Sequence, residues 1–377
     1  VAETDRKLLV HARTSRRILT QRDPWVNVLR TTIGCFAAAV GGADQITVLP
    51  FDDVIGSPDE MARRLARNTQ IILQEEGNLG RVMDAAGGSY YVDNLTVTLA
   101  EMAWKEFQAI ESKGGMLAVL RDGSFVKSIE TVWQKRAKDL GKRKTPVTGV
   151  SEFPHLGEKK VERPAVDTKA LEATILTTRE TRAKDTKLQG LLGSVANATG
   201  AARFDAIVHA VAAGTTLYAV QQTLGADEEK VQAFHLNRFA SAFEKLRDAS
   251  DAFLAKNAKR PRIFLANMGP VAVHTARAMF SQNFFEAGGF EVLSNEGFAN
   301  AAAAAETFAK SGANLAIICS SDAWYETGAA EVAKALKQKQ AGRVLLAGNP
   351  GKNEASYREA GVDQFIFIGC DVLGMLT

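Results

Sequence analysis

The chain has 377 residues, room for two or three domains at about 100–200 residues each. With 46% hydrophobic and 24% charged residues, it is neither mainly disordered nor collagen-like nor of low complexity. Its 46 basic and 43 acidic side chains leave a formal net charge of +3, which argues against nucleic acid as a partner, since that usually needs a concentrated basic face. The short basic clusters Arg16-Arg17, Lys142-Arg143-Lys144 and Lys159-Lys160 read as solvated surface. No stretch approaches the roughly 18–20 apolar residues of a membrane span, so no membrane association is expected. The alanine-rich runs at 36–43 and 299–305 are too short. Cys35, Cys319 and Cys370 are odd in number and lack metal-ligand spacing, so reduced thiols and a cytoplasmic location are expected. The charged start Val1-Ala2-Glu3-Thr4-Asp5-Arg6 does not read as a secretory signal. It lacks an initiator methionine, and a piece of a longer chain is expected.

Residues 1–153 alternate helical and strand patterns. Asp23-Pro24 opens a helix through Leu29, Ile33 and Phe36 to a stop at Gly41-Gly42. Gln45 to Leu49 reads as a short buried strand. Ser57-Pro58-Asp59-Glu60 reads as a helix start with Ser57 as cap, and the stripe Met61, Leu65, Ile72 and Leu73 ends near Gly77. Asp84 to Tyr91 is a glycine-dependent loop. A long helix is expected at 94–113, more helix at 115–141, and a last strand at 149–153 closed by Pro154. Alternating elements point to a parallel sheet or barrel. A complete eight-fold barrel needs about 250 residues, so this segment holds part of one.

Residues 154–186 are charged, proline-punctuated and poor in large apolar side chains, and read as a linker. Residues 187–256 carry a helical pattern, and Lys256 to Arg262 read as a basic hinge. The expected organisation is therefore 1–153, 154–261 and 262–377. In the last segment, strands are expected at 262–266, 290–293, 315–319, 343–347 and 364–368, with helices at 271–287, 299–311, 324–339 and 352–360. That rhythm is a flavodoxin-like, doubly wound sheet, whose ligands bind at the carboxyl ends of the strands. A site is expected after Ala266, Cys319 and Ala347, with no ligand specified.

Catalytic signatures are lacking. His11, His155, His209, His235 and His274 form no helical metal pair, so no metal site is expected. There is no Gly-x-Ser-x-Gly elbow, Walker-type loop or Gly-x-Gly-x-x-Gly fingerprint. The neighbouring carboxylates Asp52-Asp53 and Glu75-Glu76 suit surface or cap roles. Cys319 and Cys370 have no activating partner nearby in sequence and read as small buried residues.

Two sets of segments resemble the cobalamin-dependent methylmalonyl-CoA mutase family. Arg22 to Thr32, Ala66 to Glu76 and Ala86 to Val92 resemble the carboxyl-terminal half of the mutase substrate barrel. Phe264 to Pro270, Asn283 to Gly289, Cys319-Ser320-Ser321-Asp322 and Ile368 to Val372 resemble the last domain of the family's small, non-catalytic subunits. The implied fold is α/β: a partial (β/α) barrel (its carboxyl-terminal half) plus a flavodoxin-like doubly wound domain of the cobalamin-binding type.

The departures bear on function. Catalytic members carry Asp-x-His-x-x-Gly after the first strand of the cobalamin domain, and that histidine becomes the lower cobalt ligand, its other ring nitrogen held by the aspartate. Aligned through Met268-Gly269, those positions are Val271, Val273 and Ala276, and valine has no lone pair for cobalt. His274 lies one residue beyond, about 100° round a helix, and reads as a structural or surface histidine. In the barrel half, the family's His-x-Gln-Thr-Ser-Gly is here His11-Ala12-Arg13-Thr14-Ser15-Arg16. Its Thr-Gln-Ser-Leu-His-Thr-Asn-Ser is Ala43 to Pro50, and a family glutamate is Asp53. These losses suggest a filled barrel interior. Ser320-Ser321 and Gly348-Asn349-Pro350 fall where functional members contact the cofactor's nucleotide tail, although serine and glycine are also common turn residues.

The resemblance therefore implies a chain without catalytic residues or bound cofactor, paired with a large catalytic subunit that holds adenosylcobalamin. The heterodimer would interconvert methylmalonyl-CoA and succinyl-CoA. Two alternatives stay open: a competent acyl-CoA mutase of altered substrate class, and a stand-alone interaction or regulatory module.

Overall fold

The strand expected at 45–49 is half of a parallel pair. In the computed structural model, which describes residues 8–164, 167–225 and 230–377, β1 (His11–Arg13) lies beside β2 (Gln45–Thr47), with His11 opposite Gln45 and Arg13 opposite Thr47. α1 (Val26–Val40) connects them. α2 (Glu60–Ile71) follows, but its cap is Asp59, not Ser57: the Asp59 carboxylate accepts from the Ala62 amide at 2.7 Å. Asp59 itself is still extended (φ −78°, ψ 178°), so the helix starts after it and the cap is the acid next to the first turn, where a negative charge also suits the helix dipole. The last residues of this helix, Ile72–Glu76, widen into a π turn.

The loop before α3 (Tyr90–Glu111) turns through Asp84 and Gly88, both at positive φ. α4 (Met116–Arg121) and α5 (Ser124–Gly141) follow. Residues 149–153 are a turn and not the expected strand. Gly149 and Phe153 have φ of +81° and +50°, and the Gly149 amide donates to the Glu152 carbonyl at 2.7 Å. Val147 and Val150 are buried, so the hydrophobicity that suggested a strand serves a buried turn. The expected linker contains a four-turn helix, α6 (Thr168–Ala183), capped by Asp167. Then come α7 (Thr186–Asn197), α8 (Gly200–Ala212), α9 (Leu217–Thr223) and α10 (Ser241–Asn257). Parts of the linker (165–166), of the helical stretch (226–229) and the charged start (1–6) lie outside the described residues.

Two compact units result. One combines 1–109, 126–163 and 234–377; the other combines 110–125 with 164–233. The second is a helical bundle around Val195, Ala210 and Val220, against which Leu191, Leu192 and Ile207 pack.

In the first unit, β3 (Arg262–Asn267), β4 (Glu291–Leu293), β5 (Leu315–Cys319), β6 (Arg343–Ala347) and β7 (Gln364–Ile366) form one sheet. Every pairing is parallel, in the order β4-β3-β5-β6-β7. Counted within the sheet this is 2-1-3-4-5, the flavodoxin-like winding. Its helices are α11 (Val271–Ala287), α12 (Ala301–Ser311), α13 (Asp322–Gln338), α14 (Glu354–Glu359) and the terminal α15 (Val372–Leu376). Side chains alternate across the sheet. Phe264, Ala266, Ile318 and Leu346 pack with α12 and α13. Ile263, Leu265, Ile317 and Leu345 pack with Phe284 and Phe285 of α11, and with Leu140, Val147 and Val150. The chain is thus a mixed α/β protein with parallel sheets.

A buried charge network joins distant parts of this unit. Arg22 pairs with Asp248 and, at 2.8 Å, with Asp251. Arg260 and Lys160 also reach Asp251, at 2.8 and 3.0 Å. Arg247 is fully buried, and its Nη2 meets the Glu158 carboxylate at 3.1 Å. Burial alone would raise the Asp251 carboxyl; the contacts from Lys160, Arg22 and Arg260 together outweigh it and hold that group well below the usual carboxylate range.

α3, with 22 residues, is the longest helix among the described residues. It has no buried residue, although Leu95, Leu99, Met102, Trp104 and Phe107 lie along it. A helix apolar over much of its surface normally lies inside a larger structure. Among the described residues, no helix is long and apolar enough to cross a membrane.

Candidate functional site

Doubly wound sheets bind ligands outside the carboxyl ends of the two strands where the winding reverses. Here those strands are β3 and β5; two serines expected from the sequence follow β5, and an expected glycine follows the neighbouring strand β6. Ser320 is fully buried and donates through Oγ to the Met268 carbonyl at 2.9 Å. Its amide donates to the Tyr325 hydroxyl at 2.8 Å. Ser321 caps α13, its Oγ accepting from the Trp324 amide. Tyr325, in the first turn of α13, is 3% exposed. Its hydroxyl donates to the Ala347 carbonyl at 2.9 Å, with the Ile318 carbonyl at 3.2 Å, and so ties the ends of β5 and β6 together.

Gly348 lies against the same ring. A Cβ there would stand 3.2 Å from both Tyr325 Cε2 and Arg277 Nη1, so protein atoms already occupy the space beside it. Arg277 is held by Asp322 at 2.9 Å. Burial pushes the Tyr325 phenol up, so it remains a neutral hydrogen-bonding group. Burial likewise pushes the Cys319 thiol up to about 12, despite Ser281 Oγ at 3.4 Å, which suits a structural cysteine.

The remaining expected positions lie on the first turns of α11. Val271 is 56% exposed and Ala276 is exposed, while Val273 is half-buried near Gly269. His274 is 3% exposed and turned toward the backbone of the following loop, with Nε2 3.2 Å from the Glu296 carbonyl. It is an interior residue, not a surface one.

A second cluster caps the β1–β2 pair. His11 Nε2 meets Thr47 Oγ1 at 2.8 Å. Thr14 Oγ1 accepts from the Leu49 amide at 2.8 Å. Arg16 pairs with Asp53 at 2.7 Å and also donates to its carbonyl. Asp52, fully buried, is held by Arg163, which reaches Asp59 as well, at 3.0 Å. The adjacent acids are therefore neutralised by two arginines. The strands themselves remain partly exposed.

Tyr325, Arg277 and Arg163 were not singled out in the sequence. The available signal for Tyr325 was its position: an aromatic in the first helical turn after a strand at the reversal point. Among the described residues, no group of three or more His, Cys, Asp or Glu side chains is arranged to hold a metal.

Residues 2–230 match the family model described as methylmalonyl-CoA mutase. A methylmalonyl-CoA mutase small subunit from Streptomyces virginiae is 41% identical over 97% of this chain and 49% of its own length. One from Propionibacterium freudenreichii subsp. shermanii is 36% identical over 100% of this chain and 50% of its own. A probable small subunit from Mycobacterium bovis is 34% identical, with 98% and 49% covered. The chain spans about half the length of the curated relatives it matches.

Proposed function

The chain belongs to the methylmalonyl-CoA mutase family, and from that premise we propose that it is the carboxyl-terminal half of a small, non-catalytic mutase subunit. On this reading, residues 1–153 are half of a mutase barrel, 154–261 a linker with a helical segment, and 262–377 a degenerate cobalamin-binding-type domain. Its role is to pair with and stabilise a large catalytic subunit that carries adenosylcobalamin and isomerises methylmalonyl-CoA and succinyl-CoA. The three free, buried cysteines accord with a reducing, cytoplasmic setting.

The observation that carries the reading is Tyr325, whose ring and hydroxyl bridge the strand ends where a cofactor tail would enter. Ser320 and Gly348 are both engaged with their own chain. The positions aligned with the cobalt-ligand motif, Val271, Val273 and Ala276, offer no ligand. His274 is buried against Gly297 and the Glu296 carbonyl. These residues do not fit adenosylcobalamin. Titration of the chain with adenosylcobalamin is expected to leave the visible spectrum unchanged, with no retention on filtration. Stoichiometric, micromolar binding with a histidine-ligated spectrum would sink this part of the reading.

The exposed apolar residues of α3 support a large apolar contact with further mutase polypeptide. Obligate interfaces often bury more than about 2,000 Å². Co-expression of the full-length parent of this chain with a large catalytic subunit is therefore expected to give a complex that survives nanomolar dilution. Native mass measurement across a salt series should show little change, because screening acts on charges and barely on apolar contacts. Failure to co-purify at low salt would overturn the subunit assignment.

A further inference from the structure

A cavity of about 500 Å³ lies in the helical unit, between α6, α7 and α9. Sites for small molecules typically measure about 300–1,000 Å³, with apolar walls and a few placed polar groups. This one follows that composition. Leu176, Leu188, Leu192 and Ala219 supply hydrocarbon. Arg179 and Arg182, three residues apart on α6, line the cavity together. The Arg179 guanidinium carbon stands 3.8 Å from the centre of the Tyr218 ring. Stacking on that ring fixes the plane of the guanidinium and leaves its N–H edge for a planar acceptor.

The charges around the cavity are unbalanced toward the cation. Glu180 also lines it, but it is one residue from Arg179 and two from Arg182, spacings at which helical side chains do not face each other. Among the described residues, neither arginine has an ion-pair partner. Thr215 lines the same cavity, is 5% exposed, and its hydroxyl has no hydrogen-bond partner. A buried hydroxyl left unpaired is costly, and a ligand oxygen at that wall would satisfy it.

We propose that this cavity binds a small amphipathic carboxylate, with its oxygens on Arg179 and Arg182 and its hydrocarbon body against Leu176, Leu188 and Leu192. A planar carboxylate matches the guanidinium edge in a bidentate manner. Inorganic phosphate has no apolar part to cover the leucines. The proposal does not rest on the subunit reading above.

Calorimetric titration of the 377-residue chain with octanoate tests it, with octan-1-ol and octylamine as uncharged and cationic counterparts. Octanoate is expected to bind saturably at one site. Arg179→Gln, Arg182→Gln and replacement of the ligand by octan-1-ol should each weaken binding about tenfold, as loss of a charge-assisted contact does. Ala219→Phe, which fills the cavity, should abolish it. Arg182 is exposed and Arg179 half-exposed, so these two substitutions leave the fold intact and remain decisive if the phenylalanine variant does not fold. No saturation up to about 1 mM octanoate, equal binding of octylamine, or indifference to the combined arginine substitutions would overturn the proposal.

Discussion

Replacing Tyr325 by alanine is expected to lower the unfolding free energy by about 3–5 kcal/mol, the range for truncating a buried aromatic. The ring is 3% exposed and packs in the core formed by β3, β5, β6 and α13. Its hydroxyl accepts from the Ser320 amide and donates to the Ala347 carbonyl. Truncation therefore leaves a cavity and two backbone groups without their partner. Tyr325→Phe keeps the ring and removes only the hydroxyl, for an expected loss of about 1–3 kcal/mol. Urea unfolding of the three chains measures both steps, and an unchanged slope would confirm that stability itself has moved. An alanine variant within about 0.5 kcal/mol of the parent, the range of ordinary surface substitutions, would show that the crevice is not held by this residue.

Glu158→Ala should cost a similar amount for a different reason. Arg247 is 0% exposed, and Glu158 supplies its carboxylate contact at 3.1 Å; the His155 carbonyl is at 3.2 Å. Burial already pushes the Arg247 guanidinium down, with Glu158 opposing that effect. Removing one member of a buried pair leaves the other charge uncompensated, at about 3–5 kcal/mol. The Asp23 amide also loses the acceptor Oε2 of Glu158. Combining Glu158→Ala with Arg247→Met should recover most of the loss, because the stranded charge is gone. Recovery of nothing, measured by the same unfolding experiment, would place the cost in the packing of Glu158 and not in its charge.

The legibility of the chain from its sequence varied with the physics involved. The five strands of the last segment were readable because each is a short run rich in β-branched and large apolar residues, and their helices because the periodicity changes between them. β1 was missed because His11-Ala12-Arg13 carries no apolar signal; it is held by pairing with β2. Residues 149–153 misled in the opposite sense, since Val147 and Val150 are buried in a turn, and burial alone does not specify extension. The cap at Asp59 turned on local competition between neighbouring residues, and the helix at Thr168–Ala183 buries no side chain that would mark a core-facing stripe. At the candidate site, Ser320 and Gly348 directly follow β5 and β6. The Gly348 contacts with Tyr325 and Arg277, and the Ser320 bond to the Met268 carbonyl, join residues that meet only once the sheet is wound. The clamp of Arg163 on Asp52, 111 residues apart, has no local sequence signal.

The pairing of Arg22 with Asp248 and Asp251 has a temporal consequence. Its first two partners stand 226 residues apart in sequence. A ribosome adding about 5–20 residues per second makes the arginine roughly 11–45 s before the aspartate exists. During that interval, the segment around Arg22 cannot take its final buried place without stranding a cation. The segment around Arg22 therefore reaches its final buried place only after α10, which carries both aspartates, has been made.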